Sequence, residues 1–201
     1  MKKRKNIITV AIDSPAAAGA GTQASLIAKH YNLLYLDTGK IYRYIGLLKL
    51  NDKRKFSYNF VKTKINNLKI SHLKHRKLLS NDVAVSASKI AKDKKIRNIV
   101  HKFQQKSAYN PPYKYKGSVL DGRDIITVQV RDAMFKFYIT AKLEIRAKRR
   151  FEEYKKLKKK ITYKEVLKSL KNRDKSDKER KYGPLKKTKD SILINTTKLS
   201  K

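Results

Sequence analysis

The hydrophobic pattern of the chain alternates between short apolar runs and longer amphipathic stretches. The first run, residues 7–12 (IITVAI), is β-branched and predicts a strand that is buried on both faces. After the small-residue loop 14–21, apolar side chains recur at helical spacing at Leu26, Ile27 and Tyr31. A strand, a small-residue loop and a helix in this order are typical of a loop that binds phosphate.

The same alternation continues to the end of the chain. Further strands are predicted at residues 33–36, 118–120, 135–140 and 191–194, and helices at 41–50, in two segments of 84–107, at 143–160 and from 163 to about 180. Thr162 and Glu165 have the spacing of a capping box before the last helix. Strands that alternate with helices predict an α/β fold with a five-stranded parallel sheet, flanked by helices, whose ligands bind at the carboxyl ends of the strands.

One region interrupts this alternation. Residues 51–80 are polar and rich in lysine, and the stretch 68–79 predicts a small hairpin around residues 74 and 75. The two helical segments of 84–107 end at the turn 110–112, which contains two prolines. We interpret this region as a lobe inserted into a single domain that spans residues 1–201.

The composition narrows the class of protein. The chain has 201 residues, 52 Lys and Arg against 16 Asp and Glu, and a formal charge of +36. The lysines are spread along the chain, and only residues 155–160 form a dense run, so we interpret the excess mainly as solvated surface with a weak, non-specific attraction for nucleic acid. Cysteine is absent, which excludes disulfides and thiolate zinc sites. The four histidines lack a metal-binding pattern, and no membrane span or export signal is recognisable, so a cytoplasmic protein is predicted.

Polar residues follow the predicted strands where each strand ends. They are Asp13 with Ser14, Asp37 with Thr38, and the stretch 121–124 (DGRD). Because the carboxyl ends of parallel strands meet at one edge of the sheet, we expect these side chains to lie side by side. Arginines within reach of that edge supply the forked donors that phosphate prefers, and the carboxylates are suited to Mg²⁺ or to a nucleoside. The arginines are Arg43, Arg97 and Arg123.

Considered alone, the loop 14–21 matches a generic phosphate loop poorly. Ser14 stands in place of a glycine, Ala20 in place of the lysine and Gly21 in place of a serine or threonine. From this loop alone, an ordinary turn between a strand and a helix is an equally good interpretation.

Several motifs taken together make the chain resemble the bacterial cytidylate kinases, a family of nucleoside monophosphate kinases. In the order of the family they are IDSPAAAGAGT, LDTGKIYR, SASKIAKDKKIR, LDGRDIITV, KLEIRAKRR, RDKSDKERKYGPL and INTTKLS, and they cover nearly the whole chain. The resemblance implies a phosphate-loop kinase fold that transfers a phosphoryl group from ATP to CMP or dCMP with Mg²⁺. It also implies a CMP-binding lobe at 40–112, a short lid at 146–165 and a monomer.

The resemblance also implies roles for individual residues. Those implied for ATP are Ser14, Pro15, Ala16, Ala17, Ala18, Gly19, Ala20, Gly21, Thr22, Arg146 and Arg150. Those implied for CMP are Thr38, Arg43, Ser88, Arg97, Arg123, Asp124, Arg173 and Asp177, with Asp124 accepting from the exocyclic amine that distinguishes cytosine from uracil. Those implied in the transfer are Arg123, Arg180 and Asp121, and Asp13 or Asp121 would hold Mg²⁺ through water.

The chain departs from the family pattern at several positions. The family has glycine at 14 and 126, lysine at 20 and usually aspartate at 195, where this chain has Ser14, Ile126, Ala20 and Asn195. Gln129–Arg131 replaces a stretch that usually ends in Phe-Pro, and Gln105 stands where arginine is common.

Because the backbone N–H groups of the loop do not depend on the missing lysine, we expect nucleotide binding to persist while turnover is slow. One alternative is a catalytically dead protein that binds nucleotides or associates with RNA. A kinase acting on UMP or AMP is a further alternative, although a carboxylate at Asp124 would face a carbonyl of uracil.

Overall fold

The computed structural model describes residues 4–199 and has a five-stranded sheet at its centre. The strands are β1 (Ile8–Asp13), β2 (Leu33–Asp37), β3 (Gly117–Gly122), β4 (Phe135–Thr140) and β5 (Ile192–Asn195). Their order across the sheet is β2-β3-β1-β4-β5, and every neighbouring pair is parallel. The predicted α/β fold with a five-stranded parallel sheet is confirmed.

The register of the sheet aligns the polar ends of the strands. Asp13 of β1 lies opposite Gly122 of β3, and Asp37 of β2 lies opposite Asp121 of β3. The polar residues that follow the strands therefore share one edge, as their position in the sequence predicts.

Helices occupy the segments between the strands. They are α1 (Ala20–Tyr31), α2 (Thr38–Asn51), α3 (Tyr58–Asn66), α4 (Asn81–Ile90), α5 (Lys94–Tyr109), α6 (Leu143–Lys156) and α7 (Tyr163–Glu179). The helices α2 to α5 all lie between β2 and β3, which agrees with an insertion at that point. Thr162 and Glu165 form the predicted capping box at the start of α7.

The predicted hairpin at 68–79 is wrong. This stretch forms two short 3₁₀ turns, Ile70–Lys74 and Arg76–Leu79, which meet at His75. The His75 ring nitrogen Nδ1 accepts from the N–H of Lys77 at 3.2 Å and so begins the second turn. Each turn buries one leucine, Leu73 or Leu78.

The predicted helix 143–160 is also shorter than expected, since α6 ends at Lys156. Lys158 has a φ of 52°, a left-handed conformation that ends a helix. Lys159 then turns back, and its N–H donates to the carbonyl of Tyr154 at 3.0 Å.

Both faces of the central strand β1 are covered, and its apolar run is almost fully buried. On one face, Val10 and Ile12 of β1 pack in a cluster with Ala24 of α1. On the other face, Ala11 packs in a cluster with Ile41 of α2. Successive strand residues point to opposite faces, which explains the continuous apolar run of β1. Within residues 4–199, no helix is long and apolar enough to cross a membrane.

Candidate active site

The loop between β1 and α1 turns its carbonyl groups back into the protein. The carbonyl of Ala16 accepts from Arg146 Nη1 at 3.2 Å, and that of Ala18 accepts from Thr196 Oγ1 at 2.8 Å. Across the described chain, no hydrogen bond uses the backbone N–H groups of residues 19–22, which begin α1. Free N–H groups at a helix N-terminus bind anions, and the helix dipole adds to the attraction.

Two left-handed residues shape this loop. Ala17 has a φ of 61° and Gly19 a φ of 92°. This conformation is natural for glycine but strained for alanine, and it lets successive N–H groups face one side of the chain. The loop thus has the backbone form of a phosphate cradle without the usual side chains.

Ala20 is buried at the first position of α1. It is 4% exposed and belongs to the apolar cluster that also contains Val10, Ile12 and Val119. The position that holds lysine in the family is therefore filled here by a methyl group, and the loop lacks that side-chain cation.

Four arginines from different elements lie close enough to act on one another electrostatically, and we call them the arginine cluster. They are Arg43 of α2, Arg123 after β3, Arg150 of α6 and Arg173 of α7. Burial, and then the charge of Arg150, lower the pKa of Arg43. Partial burial, and then the charge of Arg123, lower the pKa of Arg173 to about 10.

The cluster has few acidic partners. Arg123 Nε donates to Asp177 Oδ2 at 2.9 Å, and Arg173 Nε lies 3.8 Å from the same oxygen. Arg150 Nη1 donates to Glu153 Oε2 at 2.8 Å. Guanidinium groups that depress one another's pKa leave a positive potential, which a multiply charged anion would neutralise.

The Asp124 side chain is buried and is held by several neighbouring groups. Its Oδ2 pairs closely with Arg97 Nη2 and accepts from Gln129 Nε2 at 3.1 Å. Its Oδ1 lies 3.3 Å from Arg180 Nη2. Gly183, with a φ of 59°, packs so closely on this pair that a Cβ there would stand 2.5 Å from Asp124 Oδ2.

The two strand-end aspartates have different surroundings. Asp13 accepts from the N–H groups of Ile125 at 2.7 Å and Ile126 at 3.0 Å, one with each oxygen, and burial raises its pKa to about 7. Asp121 Oδ1 is buried and has no hydrogen-bond partner among the described residues. Burial, and then the charge of Asp37, raise the pKa of Asp121 to about 7.

Both oxygens of Asp13 are therefore occupied by backbone donors, whereas Asp121 Oδ1 has no hydrogen-bond partner in the described region. In the part of the chain that the structure describes, no three His, Cys, Asp or Glu side chains are grouped to hold a metal ion. Any cation would thus need further ligands, such as phosphate oxygens or water.

The remaining predicted residues are placed as follows. Thr38 Oγ1 donates to the carbonyl of Asp121 at 2.8 Å, and Arg43 Nη1 donates to the carbonyl of Leu78 at 2.8 Å. Arg146 is buried beneath the loop. Ser88 is exposed on α4 and has no interaction with the arginine cluster among those described. The structure thus brings together the loop, the arginine cluster, Asp121 and Asp124, but not Ser88.

Three further residues of the site were not predicted from the sequence. The hydroxyl of Tyr42 is buried without a hydrogen-bond partner in the described region, and Arg97 and Asp124 affect its pKa, which burial raises to about 12. Asp174 accepts two bonds from Arg146, at 3.0 and 2.5 Å, and Thr196 holds the loop. Tyr42 and Thr196 lie within the motifs IYR and INTT, which carry the only sequence signal for them.

Comparisons with known proteins agree with this geometry. A family model described as cytidylate kinase matches residues 10–201. Cytidylate kinases of Clostridium botulinum (strain Hall) and Thermosipho melanesiensis are 39% and 40% identical to this chain, over 94% and 95% of it and 90% of each relative. The cytidylate kinase of Fusobacterium nucleatum is 40% identical over 96% of this chain and 91% of its own.

The fold has a counterpart among solved structures. The crystal structure of an uncharacterized protein from Eubacterium ventriosum matches with a TM-score of 0.50 and 18% identity, over 94% of this chain and 89% of that one. This likeness concerns the fold alone. The family model and the relatives confirm the resemblance that the motifs indicate, and the chain belongs to the cytidylate kinase family.

Proposed function

We propose that this chain transfers the γ-phosphoryl group of ATP to CMP or dCMP, forming ADP and CDP or dCDP. The observation that carries the proposal is the arginine cluster, whose members act on one another electrostatically, together with the free N–H groups at the start of α1. One positive centre suits the phosphates of a donor, and the other suits the phosphate of an acceptor.

Phosphoryl transfer depends on positioning and on cations that stabilise the charge of the transferring group. The loop 14–22 would hold the phosphates of ATP through backbone N–H groups. Arg123 would orient the acceptor phosphate while Asp177 fixes its side chain, with Nε to Oδ2 at 2.9 Å. Arg180, which spans Asp124 and Asp177, would contribute charge during the transfer.

The residues present fit a hydrated Mg²⁺ ion that enters with ATP. Asp121 would hold it through water, because its Oδ1 is buried and unpartnered among the described residues, and the charges of Arg123 and Lys40 only partly offset its burial. When bound, the ion would neutralise phosphate charge, which the side chains of this protein neutralise only in part.

Asp124 and Arg97 would recognise the base. Asp124 would accept from the exocyclic amine of cytosine, and it would repel the carbonyl oxygen that uracil carries at that position. The pair with Arg97 and the contact with Arg180 hold this carboxylate in place.

The lobe 40–112 and the lid 146–165 would close over the substrates to exclude water. A contact between them supports this arrangement, because Lys159 Nζ donates to the carbonyl of Leu79 at 3.0 Å. The roles of Ser88, Arg146 and Arg150 in substrate binding, the monomeric state and the cytoplasmic location stay predictions from the sequence.

The proposal is tested by measuring ADP formation from ATP in the presence and absence of CMP, and CMP binding by calorimetry. Replacing Arg123 by alanine should weaken CMP binding about 10- to 100-fold, because a charge-assisted contact is lost. The matched control is Arg54→Ala, which removes an exposed arginine outside the site. Equal CMP affinity in the two variants would contradict the assignment.

The same proteins distinguish a binder of RNA. A protein that associates with RNA through its net charge of +36 would bind any RNA with a steep dependence on salt, and Arg123→Ala would weaken it no more than Arg54→Ala. Absence of saturable CMP binding together with that behaviour would favour the RNA-binding alternative over the kinase.

A further inference from the structure

We infer that Gln129 and His101 are positioning residues that fix Asp124 for the recognition of cytosine. The structure places them in a continuous line, in which His101 Nδ1 bonds Gln129 Oε1 and Gln129 Nε2 donates to Asp124 Oδ2 at 3.1 Å. This inference rests on the proposed function, since it concerns how the base is read in the same site.

The backbone explains how Gln129 reaches Asp124. Residues Ile125–Gln129 form a π-helical turn, in which the N–H of Gln129 bonds the carbonyl of Asp124 at 3.1 Å and that of Val130 bonds Ile125 at 2.7 Å. Bonds between residues five apart bring the side chain of Gln129 back over Asp124. Such turns are rare and concentrate at functional sites.

The direction of each hydrogen bond follows from the chemistry of the groups. Asp124 is a carboxylate and accepts only, so the amide of Gln129 must present its nitrogen to Asp124 and its oxygen to His101. The amide oxygen accepts, and therefore His101 must carry a proton on Nδ1. One ring tautomer and one amide orientation satisfy the whole line.

The line completes the support around Asp124. Arg97 and His101 are four residues apart on α5 and hence share one face of that helix. Arg97 contacts Asp124 directly and His101 contacts it through Gln129, which is 2% exposed. Asp124 is thus held by α5, by the π-helical turn and by Arg180.

Gln129 belongs to the stretch 129–131, where this chain departs from the pattern of its family. A carboxylate discriminates between an amine and a carbonyl only while its orientation is fixed, because a mobile carboxylate can turn away from the wrong base.

The test compares Gln129→Met, which keeps length and volume but removes the donor, with Gln104→Met as the matched control. Gln104 is a glutamine of α5 that is 1% exposed and does not contact Asp124. In Gln129→Met we expect the ratio of kcat/KM for CMP over UMP to fall about tenfold, with KM for CMP raised and KM for ATP unchanged. Gln104→Met should leave the ratio unchanged.

The contribution of His101 is measured with His101→Leu, which removes the donor, and His101→Gln, which can restore one. We expect the leucine variant to lower the CMP preference and the glutamine variant to recover part of it. The double variant with Gln129→Met should be no worse than Gln129→Met alone, because both changes break one line.

Two results separate the failure of this inference from failure of the proposed function. If the wild-type protein neither binds nor phosphorylates CMP, the proposed function itself is wrong. If the wild type prefers CMP, but Gln129→Met has the same CMP-to-UMP ratio in turnover and in calorimetric affinity, the positioning role is wrong.

Discussion

Ala20 occupies the position where the family supplies a cation to the phosphates. Its methyl group is packed with Val10 and Ile12, and the loop has free backbone N–H groups but no side-chain cation. Replacing Ala20 by lysine should raise kcat about 10²- to 10³-fold, which is the size of effect that a preorganised electrostatic contact has in transfer reactions. The long methylene chain can follow the apolar wall and bring its ammonium group to the phosphates. A coupled ATP and CMP assay measures the change.

Ala20→Met is the matched control for this substitution, because it adds similar length without charge. It should not raise kcat, and CMP affinity should stay the same in both variants. A lysine variant no faster than the methionine variant would mean that the missing cation does not limit the rate.

Asp13 gives the protein a pH-dependent stability. Its pKa rises from about 4 in the unfolded chain to about 7 in the fold because the carboxyl is buried. Between these values the folded state keeps a proton that the unfolded chain releases, so the free energy of unfolding should fall as pH rises from about 4 to about 7, by up to about 1.4 kcal/mol per pH unit.

Urea unfolding of the wild type and of Asp13→Asn at several pH values between 4 and 8 tests this. The neutral asparagine cannot titrate. The free energy of unfolding of the wild type should therefore fall relative to that of Asp13→Asn as pH rises. Parallel pH profiles would show that Asp13 titrates normally.

The sequence offers Arg123 and Asp124 as site candidates because they follow a strand end, and Arg43 because it lies within reach of that edge, while the resemblance to the family gives their roles. Gln129 and Tyr42 were not predicted, because their roles depend on a π-helical turn and on a hydroxyl left without a partner in the described structure. Neither feature has a pattern along the chain.

At the scale of elements, the loop between β1 and α1 stores backbone strain. Ala17 has a φ of 61°, a conformation that costs an alanine roughly 1–2 kcal/mol. Ala17→Gly should therefore stabilise the fold by about 0.5–1 kcal/mol, after the greater entropy of glycine in the unfolded chain is subtracted.

Ala16→Gly is the control for that substitution, because Ala16 is buried and is not among the residues with positive φ. It should destabilise the protein by about 0.5–1 kcal/mol, as glycine does where alanine is unstrained. Thermal unfolding of both variants is sufficient, and destabilisation by Ala17→Gly would disprove the strain.

The elements themselves were largely predictable because each has one dominant local cause. Apolar runs predict the strands, and the spacing of Thr162 and Glu165 predicts the start of α7. The stretch 68–79, where a hairpin is predicted, forms two 3₁₀ turns that each bury one leucine. The local pattern of apolar residues cannot distinguish a hairpin from two 3₁₀ turns, because the outcome depends on the core against which the leucines pack.

At the scale of the whole molecule, 52 basic residues against 16 acidic ones make the fold repel itself. The side chains of Arg97 and Arg146 are buried and paired, with Asp124 and Asp174 respectively. The excess therefore lies mainly on the surface, where salt screens it. The repulsion should destabilise the compact state most at low ionic strength.

Raising KCl from about 20 mM to about 300 mM shortens the screening length from roughly 20 Å to roughly 6 Å, so the repulsion should fall across most of the surface. We expect Tm to rise by about 3–6 °C, which for a domain of this size corresponds to about 1–2 kcal/mol. Arg123→Ala should show the same rise, because the effect comes from the whole surface. A rise confined to the wild type would instead indicate anion binding at the arginine cluster, and a Tm that is flat or falls with salt would contradict the self-repulsion.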